Sequence, residues 1–325
     1  MFAAMPPQPK SRPVAEPEQL AALANALARL AGADPASLKF GVAVSGGPDS
    51  IGLLLLLRAI QLGDLAVATV DHGLRPESTV EADDVARLCR RFGLCHDILR
   101  GDSPLTGSIQ AEARALRYRL LEKWRVARGL DFVLTAHHAD DQAETLLMRL
   151  NRASGVAGLS AIRARNGRVL RPLLGWRRET LLNICRTAGV LVVDDPSNHN
   201  PRFDRARMRR QIADASWIDA AALARSADLL AGADEALDWA AEQAEQAGDL
   251  DNIIDNDWPD EIAWRVMRNH LFRFAGQSIG DQRQLLDAVT ALRAGRKVSL
   301  GPLIITPDPK VGTCWRIMRA PPRRG

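Results

Sequence analysis

LKFGVAVSGGPDSIGLLLLL, residues 38–57, joins a short apolar run, a glycine turn and a leucine-rich run. Phe40–Val44 has the length and composition of a buried parallel strand. Adjacent glycines end it, because glycine favours tight turns with unusual backbone dihedrals. Leu53–Leu57 is too rich in leucine for a second strand and predicts a buried helix. This order directs backbone N–H groups and the positive end of a helix dipole at one point, an arrangement that favours phosphate binding.

The turn differs from the Walker phosphate loop. No Gly-x-x-x-x-Gly-Lys-Ser/Thr string follows a strand, and the loop Ser45–Ser50 contains Asp49 and no lysine. A carboxylate beside a polyphosphate is repelled unless a divalent cation lies between them, so Asp49 predicts a Mg²⁺ site. The alternative is an ordinary strand-to-helix turn that is capped by Asp49 and Ser50.

Strand and helix patterns alternate through the first part of the chain. Strands are predicted at Phe40–Val44, Leu65–Val70, Cys95–Leu99 and Asp131–Ala136, and more weakly at Val169–Leu174 and Leu191–Val193. Helices are predicted at Pro17–Leu30, Ser108–Arg128, Ala139–Asn151 and Arg178–Ala188. This alternation predicts an α/β fold with a doubly wound parallel sheet, in which ligands bind beyond the carboxyl ends of the strands. Three polar clusters follow predicted strands and should converge there: Ser45–Ser50, Asp71–His72 and His137–Asp141.

The composition changes near residue 215. Asp214–Glu261 is alanine-rich and acidic, and helices are predicted at Ala220–Ala231 and Glu235–Ala247. Arginines recur after Ala263, and Lys297–Ile305 has a β-like pattern. We expect a disordered proline-rich tail over residues 1–18, a catalytic domain over 19–215 and a second, mainly helical domain over 216–325.

Composition restricts the class of protein. The 325 residues are 46% hydrophobic and 25% charged, which is typical of a globular chain. The four cysteines form no CxxC pair, so zinc and iron–sulfur sites are not expected. Arg58 and Asp64 interrupt the leucine run before it can span a bilayer, and a cytoplasmic protein without a membrane segment is predicted.

Positive charge is concentrated in a few places. The net charge is +4, and arginines cluster at 163–171, at 205–210 and after Ala263. Clustered arginines favour contact with a nucleic-acid backbone, whereas a merely basic surface is the alternative.

Further polar patterns lie on predicted helices or at strand ends. His137, Asp141 and Glu144 are spaced by four and three residues, which makes one polar helix face and is also compatible with a dinuclear metal site. Glu112 and Arg114 lie two apart in a helix and cannot point to the same side. At the end of the second strand, His72 and Arg75 can meet phosphate, Asp71 can hold the loop, and Ser78 with Glu81 can form a capping box; a capped surface turn is the alternative.

SGGPDS at 45–50 resembles the PP-loop, SGGxDS, of enzymes that cleave ATP to AMP and pyrophosphate. Further motifs follow in order: DHGLRPES at 71–78, EARALRY at 112–118, TAHHADDQAET at 135–145 and DPSN at 195–198. Together they resemble the tRNA(Ile)-lysidine synthetase family. Two positions depart from the family pattern. Ala153 stands where the family usually has glycine, and Ala206 where it commonly has asparagine.

The resemblance implies ATP and Mg²⁺ as cofactors, and L-lysine and a tRNA(Ile) with a CAU anticodon as substrates. The wobble cytidine would first be adenylated at its C2 oxygen, after which lysine would displace AMP to leave lysidine. The nucleotide would contact Ser45, Gly46, Gly47, Pro48, Asp49, Ser50, Asp71 and His72. Catalysis is expected from Asp49, Arg114, Asp141 and Glu144, and Mg²⁺ ligation from Asp49 and Asp141. The substrates would contact Glu112, Arg114, His137, Asp141, Glu144, Arg152, Arg205 and Arg207, with the lysine ammonium groups at Asp141 and Glu144.

Other interpretations remain open at this stage. A tRNA-thiolating PP-loop enzyme shares SGGxDS but generally needs reactive cysteines or an iron–sulfur cluster. Assignment to the synthetases that use ammonia would explain the loop but not the arginine-rich second half of the chain. A non-catalytic, nucleotide-sensing RNA-binding module is the alternative from another class, and the sequence does not decide between a monomer and a homodimer.

Overall fold

The computed structural model describes residues 13–71, 76–101, 109–190, 192, 204–245, 252–254, 257–308 and 314–321. Several predictions concern positions outside the described residues: His72, Arg75, the side chain of Ser78, the motif at Asp195–Asn198, the tail up to residue 12, and the strand at Leu191–Val193 apart from Val192. The chain forms two compact units that divide between Leu229 and Leu230.

The first unit alternates helices with strands. Its helices are α1 (Pro17–Ala31), α2 (Pro48–Ala59), α3 (Pro76–Phe92), α4 (Ile109–Ala127), α5 (Ala139–Leu150), α6 (Val156–Leu159), α7 (Arg178–Thr187) and α8 (Asp204–Asp214). Its strands are β1 (Phe40–Ala43), β2 (Leu65–Asp71), β3 (His96–Arg100), β4 (Phe132–Leu134), β5 (Arg165–Asn166) and β6 (Val169–Leu170).

The strands form one sheet in the order β3-β2-β1-β4-β6-β5. All neighbours are parallel except the edge pair β5–β6, and Phe40 of β1 pairs with Leu65 of β2 and Phe132 of β4. The predicted doubly wound parallel sheet is confirmed. The strand predicted at Val169–Leu174 ends at Leu170, because Pro172 has no N–H to donate to a ladder.

The leucine run forms the predicted buried helix. In α2, every residue from Ser50 to Leu57 is buried, and Leu53, Leu54, Leu56 and Leu57 are wholly inaccessible to solvent. A helix that is apolar on all sides is stable only when other elements of the protein bury every side of it. The β1 side chains Phe40 and Val42 belong to the same core. Burial of α2 therefore holds its N-terminus at the carboxyl edge of the central strand.

The second unit contains a small sheet that the sequence analysis largely missed. Helix α9 (Ala220–Ala244) begins in the first unit and ends in the second. In the second unit, helices α10 (Asp260–Ala275) and α11 (Gln282–Arg293) accompany strands β7 (Asn252–Ile254), β8 (Val298–Leu300), β9 (Leu303–Pro307) and β10 (Cys314–Arg319). The antiparallel order is β7-β10-β9-β8. The two predicted helices that flank Gly232 are one continuous helix, α9, because a single interior glycine costs only about 1 kcal/mol.

Several arginines that follow Ala263 form ion pairs inside the second unit. Arg265 is wholly buried, with Asp234 at 2.5 Å, Glu261 at 2.7 Å and Asp238 also in contact. Further pairs are Arg268–Asp238 and Arg293–Asp260, at 2.9 and 2.7 Å, and Arg273–Glu245. Among the described residues, Arg283, Arg296 and Lys297 are exposed and make no ion pair. The charge surplus read from the sequence is therefore partly internal.

In the described segments, no helix combines the length and the apolar character that crossing a bilayer requires.

Gly41 in β1 provides a test of the sheet packing. A Cβ at this position would lie 2.4 Å from the Trp124 ring and 2.7 Å from Leu130. The ring cannot easily move, because its Nε1–H donates to Asp97 at 2.7 Å. Gly41→Ala should therefore reduce the free energy of unfolding by about 2 kcal/mol, as in other overpacked cores. Thermal and denaturant unfolding would measure the loss.

Gly63→Ala is the matched control, since a Cβ there would have no neighbour within 4 Å and the backbone is not left-handed. Equal stabilities of the Gly41 and Gly63 variants would contradict the packing described for Trp124.

Candidate active site

The glycine loop joins β1 to α2 and is closed by the Ser50 hydroxyl. Ser50 Oγ donates to the Gly47 carbonyl at 3.0 Å and accepts from the Ser45 N–H at 3.1 Å. Gly46 has φ +86°, a conformation that strains any residue with a Cβ, and Gly47 is the N-cap of α2. Because Gly47 has no capping side chain, the first N–H groups of α2 remain available to an anion.

Asp49, in the first turn of α2, lies between an imidazole and a guanidinium. Its Oδ2 is 3.4 Å from His138 Nε2, and its Oδ1 is 3.6 Å from Arg178 Nε. Oδ1 is buried and has no hydrogen-bond partner among the described residues. Such an atom is costly unless a cation or donor satisfies it.

His138 connects the loop with α5. The ring is 1% exposed and is the N-cap of α5, with Nδ1 accepting from the Asp141 N–H at 3.3 Å. In the neutral ring the proton is then on Nε2, which faces Asp49 Oδ2 and, at 3.6 Å, Asp141 Oδ2. Burial lowers the pKa of His138, but the hydrogen bond with Asp49 and the charges of Asp141, Asp49 and Asp140 outweigh it, so the pKa is raised.

Asp141 and Asp140 have different surroundings. Asp141 accepts from the His138 N–H at 3.2 Å. Burial raises the pKa of Asp141, yet the neighbouring His138, His137 and Arg205 more than compensate and keep it below its usual value. Asp140 accepts from the Arg178 N–H at 2.8 Å, at the start of α7. Asp141 thus faces the loop, whereas Asp140 anchors a neighbouring helix.

His137 lies just before α5. Its Nδ1 is 3.0 Å from Thr135 Oγ1. Burial lowers the pKa of His137 to about 3, with Arg171, Arg114 and Arg205 acting in the same direction against Asp141. The ring is therefore neutral near pH 7. The described residues contain no group of three histidines, cysteines or carboxylates arranged for a metal, so the alternative of a dinuclear site gains no support there.

Glu144 is held by an arginine that the site prediction omitted. Glu144 is 1% exposed, and Arg209 of α8 donates to its two oxygens at 2.6 and 3.2 Å. Burial raises the pKa of Glu144 even though Arg209 opposes it. Arg209 also lies 4.0 Å from Asp141. A sequence signal was present, because Arg209 follows the predicted Arg205 by one helical turn.

The predicted arginines on and near α8 make contacts at two different places. Arg205 donates to Thr145 Oγ1 at 3.0 Å and so lies beside α5. Arg207 and Arg152 both pair with Asp204. They line a groove of about 340 Å³ together with Met148, Asn151, Met208 and Gln211. Ala206, one of the departures from the family pattern, is 8% exposed.

Helix α4 contributes Arg114 and Glu112 of the predicted site residues. The Arg114 guanidinium lies 5.2 Å from the Tyr118 ring centroid, and Tyr118 accepts from buried Arg171 at 3.1 Å. Glu112 is half-buried and Arg114 is exposed, which is compatible with the expectation that they face different sides.

Asp71 marks the end of β2. Its carboxylate is 5% exposed and accepts from Thr79 at 3.2 Å and from Arg100 at 3.4 Å. These contacts link the end of the strand to α3 and β3.

Comparison with known proteins identifies relatives that cover most of the chain. The PP-loop domain family matches residues 19–216. A tRNA(Ile)-lysidine synthase from Zymomonas mobilis is 38% identical over 304 residues, which cover 89% of this chain and 91% of that protein. One from Novosphingobium aromaticivorans is 41% identical over 296 residues, covering 87% and 89%.

A solved structure supports the fold. The U34-tRNA thiolase from Methanococcus maripaludis matches with a TM-score of 0.54 at 17% identity, covering 64% of this chain and 77% of that one. At this identity the likeness concerns the fold alone.

The end of α5 shows what the alanine at position 153 costs. The N–H groups of Ala153 and Ser154 donate to the carbonyls of Leu150 and Arg149, at 3.0 and 3.2 Å. This pattern is a Schellman motif, whose penultimate position adopts a left-handed conformation. Ala153 has φ +53°, where glycine is favoured and alanine is strained.

Ala153→Gly should therefore raise the free energy of unfolding by about 0.5–1 kcal/mol, the relief of left-handed strain less the entropic cost of glycine. Chemical denaturation would measure it. Ala294→Gly is the control, because Ala294 is exposed and caps α11 with φ −81°; this variant should be less stable than the wild type. Destabilisation of both variants would contradict the proposed strain.

Proposed function

The chain belongs to the tRNA(Ile)-lysidine synthase family of PP-loop proteins, and from this we propose how its own residues use ATP to join lysine to the wobble cytidine of tRNA(Ile). One observation carries the proposal: Asp49 and Asp141 both lie beside the buried imidazole of His138, next to the N-terminus of α2. A phosphate-binding helix end and an acidic pocket are thereby adjacent.

The loop is proposed to bind the phosphates of ATP. The Gly47-capped N-terminus of α2 offers backbone N–H groups and the positive end of the helix dipole. Mg²⁺ fits the donor set, because it prefers one or two carboxylates plus phosphate oxygens, and Asp49 Oδ1 is a buried oxygen without a hydrogen-bond partner in the described structure. Asp49 and Asp141 would hold the ion, which would offset the charge of the departing pyrophosphate.

Two chemical steps are proposed at this site. The cytidine C2 oxygen attacks the α-phosphorus of ATP and pyrophosphate leaves. The ε-amine of lysine then attacks C2, and AMP leaves with the oxygen. The amine must be deprotonated, and we assign its binding to Asp141 and Glu144, whose carboxylates lie on one face of α5. Burial raises the pKa of Glu144, which favours a role in proton transfer. Arg209 orients Glu144 through its two hydrogen bonds.

Contacts with the tRNA are proposed for the arginines around α5. Arg205, Arg114, Arg152 and Arg207 lie on or beside the elements that surround the acidic pocket, and their charge suits phosphate oxygens. We further propose that the second unit contacts the tRNA and that the enzyme acts in the cytoplasm, where its substrates are found. A homodimer stays a prediction.

The thiolating alternative requires reactive thiols. Burial raises the pKa of both Cys89 and Cys185 to about 11, so these thiols stay protonated near pH 7. These two buried thiols are therefore poorly suited to sulfur transfer, whereas Cys95 is exposed and Cys314 is half-buried.

The proposed function predicts a strict dependence on three substrates. Pyrophosphate release should require ATP and the tRNA. Release of AMP and entry of radiolabelled lysine into a CAU-anticodon tRNA(Ile) should require ATP, lysine and the tRNA together. A tRNA with uridine at the wobble position is the control and should incorporate none. Formation of ADP and phosphate would refute the PP-loop chemistry, and AMP formation without lysine incorporation would refute the assigned substrate.

Asp49→Ala should reduce pyrophosphate release by at least about 100-fold, the usual size of a lost electrostatic contribution at a reacting centre. Binding of the tRNA should be retained. Asp64→Ala is the matched control, because Asp64 is exposed and precedes β2 at the opposite edge of the sheet. Near-normal turnover by the Asp49 variant would rule out its proposed magnesium role.

A further inference from the structure

The phosphate loop of this chain contains no basic side chain. Ser45–Ser50 offers backbone N–H groups and two hydroxyls, and its one charged residue, Asp49, is acidic. Pyrophosphate as a leaving group has several negative charges, and backbone dipoles together with one divalent ion neutralise them only in part. A cationic side chain from another element would complete such a site.

Helix α7 supplies an arginine at this place. Its first residue, Arg178, lies with Nε 3.6 Å from Asp49 Oδ1. In the part of the chain that the structure describes, neither atom has a hydrogen-bond partner, although both are buried. An arginine that served only to neutralise Asp49 would form short, paired hydrogen bonds of about 2.8 Å. The longer separation indicates a guanidinium held beside the carboxylate and not bonded to it.

The position of Arg178 is set by the packing of α7 on α2. A Cβ on Gly52 would lie 3.1 Å from Leu181 Cβ and 3.3 Å from its carbonyl oxygen, so a larger residue there would push α7 outward by a few tenths of an ångström. Cys185 Sγ contacts the Pro48 carbonyl at 3.4 Å. The Arg178 N–H is fixed by Asp140 at 2.8 Å. These three contacts hold the first turn of α7 beside the glycine loop.

We propose that Arg178 binds the β- and γ-phosphate oxygens of ATP and the pyrophosphate product. This assignment rests on the proposed use of ATP at the loop. Because the Arg178 side chain is one-quarter exposed, its guanidinium can donate to phosphate while the buried Nε stays beside Asp49. A fixed fork of N–H donors matches phosphate geometry.

Equilibrium binding of inorganic pyrophosphate and of AMP, in magnesium buffer, tests the proposal. Arg178→Gln should weaken pyrophosphate binding about tenfold or more, the usual scale of a lost charged hydrogen bond, and change AMP binding less than twofold. Arg186→Gln is the matched control, since Arg186 is exposed on the last turn of the same helix and, among the described residues, its side chain bonds only to Asn183. Unchanged pyrophosphate binding by the Arg178 variant would overturn the proposal.

A double-mutant cycle separates direct contact from an effect through Asp49. If Arg178 touches pyrophosphate, Arg178→Gln should weaken binding by a similar factor in an Asp49→Ala background. Disappearance of the effect there would show that Arg178 acts only on Asp49 and would overturn the proposal. Arg178→Lys retains the charge and should give intermediate affinity, which keeps the test valid if the glutamine variant folds poorly.

This measurement uses neither lysine nor tRNA, so its outcome is independent of lysine transfer. Loss of pyrophosphate affinity in a chain that fails to make lysidine would support the arginine assignment and refute the function. If the Arg178 variant binds pyrophosphate normally and the wild-type chain forms lysidine, the function is supported and the arginine assignment is refuted.

Discussion

Asp49 and Asp141 are carboxylates on two different helices, and one buried imidazole lies within 3.6 Å of both. Two like charges in a poorly solvated pocket repel each other, and the Nε2–H of His138 reduces that cost. The same ring caps α5 through its other nitrogen. His138 therefore couples the start of α5 to the start of α2, and the geometry of the glycine loop and of the acidic pocket depends on this contact.

The packing around α2 determines what reaches that pocket. Because α2 is buried all round, each neighbouring element must fit closely against it or against the adjacent sheet. Glycines provide the room: Gly52 admits Leu181 of α7, and Gly41 admits the Trp124 ring on the sheet. Close packing of this kind is rigid, so it positions side chains such as Arg178 with little freedom.

The second unit shows why charge counted along a chain is a limited guide to an RNA-binding surface. Arg265 is fully buried among three carboxylates, where removing one partner would leave an uncompensated buried charge. This arginine ties α10 to α9 and has no surface left for phosphate. The exposed positions Arg283, Arg296 and Lys297 remain the better candidates for contact with tRNA.

The sequence by itself determined the parallel sheet, the buried α2 and the family, because these depend on local patterns: apolar runs, a glycine turn and ordered motifs such as SGGPDS. It also identified Asp49, Asp141 and Glu144 as candidates from residue type and spacing. Only the tertiary structure decided their partners. His138, Arg178 and Arg209 come from three separate helices or helix ends, and the Asn252–Ile254 strand finds its place by pairing with Cys314–Arg319. Such contacts depend on packing between distant segments, which no local periodicity encodes.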